Sequence, residues 1–184
     1  MLRSAKISQG LPPQCALRKM YRCYNRIVSI SLFEAQPISC DNALEKNMIQ
    51  SKFGHIQINV RAENLPFYKD LFAFLGWSTL YDSPAMLGVG SDAGYSLWFS
   101  GEAKQVENDY DGPGMNHLAL DVQNQGDVDL MTAYLRERGI APLFGTPRHR
   151  PEFSRDSEHT YYQVMFESPD RILFEVVYIG KISR

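Results

Sequence analysis

The chain has 184 residues, of which 44% are hydrophobic and 22% are charged. This composition is typical of globular proteins and excludes a disordered, collagen-like or coiled-coil chain. The longest apolar stretches run only a handful of residues, too few to span a membrane. A formal net charge of −2 gives no argument for a nucleic-acid partner.

The average charge hides two different segments. Residues 1–47 carry 7 basic and 3 acidic side chains, a net of +4, whereas residues 48–184 carry 12 basic and 18 acidic side chains, a net of −6. We expect 1–47 to be a basic, weakly ordered N-terminal extension and 48–184 to be one domain. An organelle transit peptide and an ordered arm are the alternatives for the extension. All three cysteines precede the domain, so a disulfide scaffold is excluded there and a reducing, cytoplasmic setting is favoured.

The first half of the domain, 52–100, is predicted to form a strand, a helix and three strands. KFGHIQINV (52–60) alternates polar and apolar residues, as a half-buried strand does. Asn64 is the expected N-cap of a short amphipathic helix, FYKDLFAFLG, and Gly76 is its expected end. The three strands that follow are predicted over WSTLYDS, AMLGVG and YSLWFS.

The second half, 115–179, repeats this order at low sequence identity. MNHLALDV is the first strand, DVDLMTAYLRER the helix, and Gly139 its expected end. IAPLFGT (140–146) is predicted as a strand and 147–159 as a long polar loop, before a hairpin of TYYQVMFE and RILFEVVY. The sequence therefore predicts an α+β fold in which two βαβββ modules form a mixed, partly closed β-sheet around a concave site.

Three residues in this repeat have the chemistry of a metal site. His55 and His117 hold equivalent positions in the two modules, on the strand face turned away from the helix. Glu175 lies within the apolar strand LFEVV, where a carboxylate is costly unless it is paired or bound to a metal. Two imidazoles and one carboxylate form the facial triad of non-haem Fe(II) sites. Fe²⁺ is therefore the favoured ion, with Mn²⁺, Ni²⁺, Co²⁺ and Zn²⁺ as alternatives, and an ordinary packed histidine is the competing explanation for each imidazole.

Four strings in this order resemble the vicinal oxygen chelate superfamily, which includes glyoxalase I, extradiol ring-cleaving dioxygenases and bleomycin-resistance proteins. They are GHIQINV, FYKDLFAFLGW, NHLALDV and SPDRILFEVV, within 52–179. The resemblance implies a glyoxalase/dioxygenase-like fold, metal ligands at His55, His117 and Glu175, and a homodimer. It also aligns Trp98 with a position where glyoxalase I uses a fourth protein ligand, which argues against a four-ligand site here. The set of two histidines and one glutamate resembles that of the dioxygenases, although Met165 stands where their pattern has a tyrosine and Arg171 where it has glycine or proline.

The longer second module adds a polar segment, RHRPEFSRDSEHT, that could cover a site as a lid. His149, His159 and Tyr161 are the candidates in and beside it for a catalytic acid or base. A solvated charged loop is the competing interpretation. Trp77 and Trp98 are first interpreted as packing residues.

The predicted function is that of a metal-dependent enzyme whose small-molecule substrate chelates the ion through two oxygens. The reaction would be either dioxygenase-like or of the glyoxalase/isomerase type. A metal-free drug-binding protein of the bleomycin-resistance type is the alternative, although such a protein would usually lack at least one of the three ligands.

Overall fold

A computed structural model describes residue 49 and residues 51–182, so the expectation for the N-terminal extension lies outside the described residues. Two βαβββ modules are present, as the repeat predicts. The first consists of β1 (His55–Asn59), α1 (Leu65–Phe74), β2 (Ser78–Ser83), β3 (Met86–Gly90) and β4 (Ser96–Ser100). The second consists of β5 (Leu118–Asp121), α2 (Gln125–Glu137), β6 (Arg148–His149), β7 (His159–Glu167) and β8 (Leu173–Lys181).

The two modules have the same strand topology. The strand orders are β1-β4-β3-β2 and β5-β8-β7-β6. In each module the first strand pairs in parallel with the last, and the remaining neighbours are antiparallel. The α+β class and the paired modules are thus confirmed, and the β-structure consists of two separate mixed sheets that do not close on each other.

The predicted strand over 140–146 is wrong. This segment makes one backbone hydrogen bond to β7, in which Leu143 N donates to Met165 O at 2.8 Å. Phe144 and Gly145 then take positive φ angles of 54° and 67°, which turn the chain out of the strand. The second strand of this module is instead β6, a two-residue strand inside the predicted loop.

The two helices begin differently from the sequence prediction. Asn64 makes no side-chain capping bond, because a 3-10 turn over Ala62–Asn64 leads directly into α1. Helix α2 begins two residues before Asp127 and has a full capping box, in which Asn124 and Asp127 each accept from the other's backbone N–H. Both helices do end at the predicted glycines, with φ of 79° at Gly76 and 69° at Gly139.

The apolar faces of both modules pack into one core. In α1, Phe72 lies 5.5 Å from Phe99 of its own sheet and 6.2 Å from Phe174 of the other sheet, measured between ring centroids. The helices also touch, with Phe74 stacked on Tyr134 at 4.1 Å. Since both sheets bury their helix-facing side in this core, their polar faces point away from it. No helix among the described residues is both long and apolar enough to cross a membrane.

Candidate metal centre

Strand register confirms that the two histidines hold equivalent positions. In the first module Gln57 of β1 pairs with Trp98 of β4, and in the second Ala119 of β5 pairs with Glu175 of β8. His55 and His117 each lie two residues before the paired residue of their own module. Trp98 therefore occupies the register position of Glu175, as the alignment of the two modules predicts.

Glu175 is the centre of a buried polar cluster on the outer face of the second sheet. The residue is 2% exposed. Its Oε2 lies 3.0 Å from His117 Nε2, and its Oε1 accepts a hydrogen bond of 2.7 Å from the Tyr161 hydroxyl. The structure thus brings together two of the three predicted metal ligands and one of the three predicted acid–base residues.

Two further side chains complete the cluster around the carboxylate. The Gln163 amide, oriented so that both of its ends are satisfied, donates to Glu175 Oε1 at 2.5 Å and accepts from Arg150 Nη1 at 3.2 Å. Arg150 also donates from Nε to Glu152 at 2.7 Å. A chain of contacts therefore links the carboxylate to the cation on the segment between β6 and β7.

A second contact fixes the tautomer of His117. Asn116 Nδ2 donates to the Tyr110 carbonyl at 2.8 Å, so its Oδ1 is the atom that lies 2.8 Å from His117 Nδ1. An amide oxygen only accepts, so His117 Nδ1 must carry a proton to make this bond. In the neutral imidazole the Nε2 lone pair then faces the Glu175 carboxylate. This arrangement is repulsive unless a proton or a cation lies between the two atoms.

Burial also perturbs the titratable groups around Glu175. Burial and then the nearby Glu175 carboxylate raise the pKa of the Tyr161 phenol, so the phenol keeps its proton at neutral pH. Asp121 lies on the same strand face as His117, and partial burial raises the pKa of its carboxyl group. The site therefore combines one hydroxyl donor with the buried carboxylate of Glu175.

The other predicted site residues lie elsewhere. His55 is exposed on the outer face of the first sheet. His149 Nδ1 lies 2.6 Å from the Thr160 hydroxyl, and its strand pairing with Tyr162 places it on the opposite face of β7 from the Glu175 cluster. His159 lies 2.6 Å from Asp156 at the start of β7, about 20 Å along the strand from Met165, the cross-strand partner of Glu175. Within the described part of one chain, no three His, Cys, Asp or Glu side chains are grouped closely enough to hold an ion.

The sequence prediction missed the roles of Asn116 and Arg150. Asn116 directly precedes a predicted ligand, but nothing in the sequence indicates that Tyr110 would orient its amide. Arg150 lies in the polar segment RHRPEFSRDSEHT, and its contact with Gln163 depends on the unexpected strand β6. The placement of Gln163 and Tyr161 on one face does follow from strand alternation.

Comparison with solved structures identifies the fold. A Bacillus halodurans protein assigned to the glyoxalases matches at 26% identity and a TM-score of 0.57, covering 70% of this chain and 96% of that one. A glyoxalase/dioxygenase from Nostoc punctiforme matches at 20% identity and a TM-score of 0.57, covering 73% and 99%. The fosfomycin resistance protein FosX of Listeria monocytogenes, solved with Mn(II) and sulfate, matches at 22% identity and a TM-score of 0.52, covering 73% and 94%. No protein-family model and no curated protein matches the sequence.

These likenesses, together with the two βαβββ modules, define a protein of the glyoxalase/dioxygenase fold class. The resemblance to the vicinal oxygen chelate superfamily is confirmed, and the chain has the fold of that superfamily.

Proposed function

We propose that the protein is a metal-dependent enzyme of the vicinal oxygen chelate type, acting on a small substrate that chelates the ion through two oxygens. The His117–Glu175 pair carries this proposal. Its atoms Nε2 and Oε2 lie 3.0 Å apart, with the proton of the imidazole held on the far nitrogen by Asn116. In the neutral imidazole both atoms therefore direct lone pairs into the same small space.

The donor set fits a divalent ion. Two ligand atoms that are each about 2.1 Å from an ion and lie at about a right angle are about 3.0 Å apart. The hydrogen bond from Asn116 is also the outer contact expected of a ligating histidine, because it fixes the tautomer and the ring orientation. The spacing of the two ligand atoms and the contact from Asn116 thus both fit a bound divalent ion.

We propose that the third ligand is His55 of a second copy in a homodimer. Within one chain, the polar faces that carry His55 and Glu175 point away from a shared core. A twofold dimer would let the first module of each copy face the second module of the other, which would form two equivalent sites. Each site would then contain His117 and Glu175 of one chain and His55 of its partner.

Fe²⁺ remains the favoured ion, because two imidazoles and one carboxylate with open positions suit Fe(II). Mn²⁺ is supported by the FosX structure, which contains Mn(II), and Zn²⁺, Co²⁺ and Ni²⁺ are further alternatives. When bound, the ion would act as a Lewis acid for a substrate bearing two adjacent oxygens. Ring cleavage and isomerisation both remain within the proposal.

The chain's own residues would hold and orient the ligands. Tyr161 donates to Glu175 Oε1 and leaves Oε2 facing His117, so it positions the carboxylate and holds a proton beside it. We retain Tyr161 as the candidate for proton transfer near the substrate. His149 and His159 are left out of this role because their contacts are with Thr160 and Asp156.

Metal analysis of purified protein tests the proposal. Wild type is expected to bind one divalent ion per chain, while His117→Ala and Glu175→Gln are expected to lose it. His149→Ala is the matched control, since it removes an imidazole that lies on the other face of β7. A metal-free wild type, or metal retained by both site variants, would contradict the proposal, and the first of these results would favour the drug-binding alternative.

The reaction type is then separated by two assays on the metal-loaded protein. Oxygen consumption with catechols would indicate a dioxygenase. Loss of the methylglyoxal–glutathione hemithioacetal would indicate an isomerase of the glyoxalase type.

A further inference from the structure

The outer face of the first sheet carries an apolar cluster where the second sheet carries its polar one. One row across this face contains Gln57, Trp98, Gly88 and Tyr81, which are paired across four neighbouring strands. The equivalent row of the second sheet contains Ala119, Glu175 and Met165. Trp98 therefore takes the place of the buried carboxylate, and Gly88 takes that of Met165.

Gly88 lets the Trp98 indole lie flat on the sheet. A Cβ at this position would come within 2.7 to 3.0 Å of three atoms of the indole ring, closer than real Cβ contacts allow. The indole covers the buried backbone of β3 on one side and is itself partly exposed. A flat aromatic surface is thus available at the register position of a predicted ligand.

A β-bulge adds two more side chains to this surface. The pairing of β2 with β3 shifts between Thr79 and Tyr81, so Leu80 is an extra residue in the strand. As a result Leu80 lies against Gly90 while Tyr81 lies beside Trp98, with ring centroids 6.3 Å apart. Leu80 and Tyr81 are 56% and 49% exposed. Bulges commonly redirect side chains next to functional sites, and here the bulge puts two consecutive side chains on one face.

We propose that Trp98, flanked by Leu80 and Tyr81, is a stacking surface that selects substrates with a planar aromatic ring beside their chelating oxygens. This inference rests on the proposed metal site, to which the same strand face contributes His55. From strand rise and spacing, the Cα atoms of His55 and Trp98 are about 8 Å apart. A ring attached to a group chelated at the ion would therefore come within reach of the indole, and Trp98 would determine specificity rather than catalysis.

Two hydroxamates with identical chelating groups test this inference. Benzohydroxamate carries a phenyl ring and acetohydroxamate a methyl group, so only the first can stack. Calorimetric titration of Zn²⁺-loaded wild type is expected to give the tighter binding for benzohydroxamate. Trp98→Ala is expected to weaken the binding of benzohydroxamate by about three- to tenfold, because one aromatic stacking contact is lost. The same variant should leave acetohydroxamate binding and zinc content unchanged, and Trp98→Phe should restore part of the benzohydroxamate affinity.

Fluorescence gives a second readout on the same probe. The chain has two tryptophans, so Trp77→Phe leaves Trp98 as the only indole, and benzohydroxamate but not acetohydroxamate should change its emission. Tyr95→Ala is the matched control, since Tyr95 is an exposed aromatic residue that precedes the same strand and packs on Phe53. It should leave both affinities unchanged.

The possible failures are distinguishable. Wild type that binds neither zinc nor any of the other proposed divalent ions would refute the metal site and the stacking surface with it. Zinc bound normally, with Trp98→Ala weakening both hydroxamates equally or neither, would refute the stacking surface alone. Dissociation of a wild-type dimer by Trp98→Ala would instead assign this surface to contact between two copies, and would also overturn the inference.

Discussion

The hydroxyl of Tyr68 joins the two modules inside the core, and removing it should measurably destabilise the domain. Tyr68 of α1 is fully buried and donates to Asp170 Oδ2 at 2.7 Å, with Ser168 Oγ at 3.0 Å. Asp170 is itself 9% exposed and accepts its remaining contacts from Arg61, through the backbone N–H at 3.1 Å and Nη1 at 3.4 Å. Tyr68→Phe therefore leaves a nearly buried carboxylate short of one donor.

The expected cost follows from these contacts. A hydrogen bond to a charged group contributes about 1.5–3 kcal/mol, and an unsatisfied buried partner adds to the loss. We expect Tyr68→Phe to lower the free energy of unfolding by about 2 kcal/mol and the melting temperature by about 8 °C. Urea denaturation followed by circular dichroism gives the first quantity and calorimetry the second.

Tyr162→Phe is the matched control. Tyr162 also donates to an aspartate, Asp129 Oδ1, at 2.7 Å, but this bond is exposed to solvent. The same substitution there should cost less than about 0.5 kcal/mol. Equal losses in the two variants would refute the argument that burial makes the Tyr68 bond important.

Three further predictions concern the second module. Asn124→Ala removes the capping box of α2 and should lower the unfolding free energy by about 1 kcal/mol; no change in a urea titration would contradict that role. Partial burial raises the pKa of Asp121, so its ionisation costs stability as the pH rises above its ordinary value of about 3.9. Asp121→Asn should therefore be more stable than wild type at pH 7 and lose this advantage near pH 3, whereas an equal difference at both pH values would rule out ionisation as the cause. Asn116→Ala frees the His117 ring and should weaken divalent-metal binding by about 10- to 100-fold in competition with a fluorescent chelator, which unchanged affinity would disprove.

Most of the fold could be predicted from the sequence because the spacing of apolar residues in each module indicates its strands and its helix. Alternation in KFGHIQINV and in TYYQVMFE, and the glycines at 76 and 139, are local properties that the structure retains. The predicted strand over 140–146 is wrong for a local reason that is not apparent from the sequence. Leu143 does bond to β7 through its backbone N–H, and the positive φ angles of Phe144 and Gly145 then turn the chain.

The candidate site could be predicted only in part, because it depends on how the modules pack. Register makes His55 and His117 equivalent, and β8 places Glu175 beside His117, all of which follows from strand pairing. Whether His55 joins them is decided by the burial of two apolar faces in one core, which turns the polar faces outward. Alternation along a strand predicts which residues share a face. It does not predict which part of the molecule that face packs against.

Metal binding by mixed variants tests the central claim most directly. His55→Ala and Glu175→Gln are each expected to bind no metal alone. If each site takes His55 from one copy and Glu175 from the other, unfolding the two variants together and refolding them at equal amounts will form heterodimers with one intact site. The mixture should then recover about a quarter of the wild-type metal content, because half of the dimers are mixed and each of these restores one site of two. No recovery in a mixture that does form heterodimers would contradict a site shared between copies, and metal retained by either variant alone would contradict the triad itself.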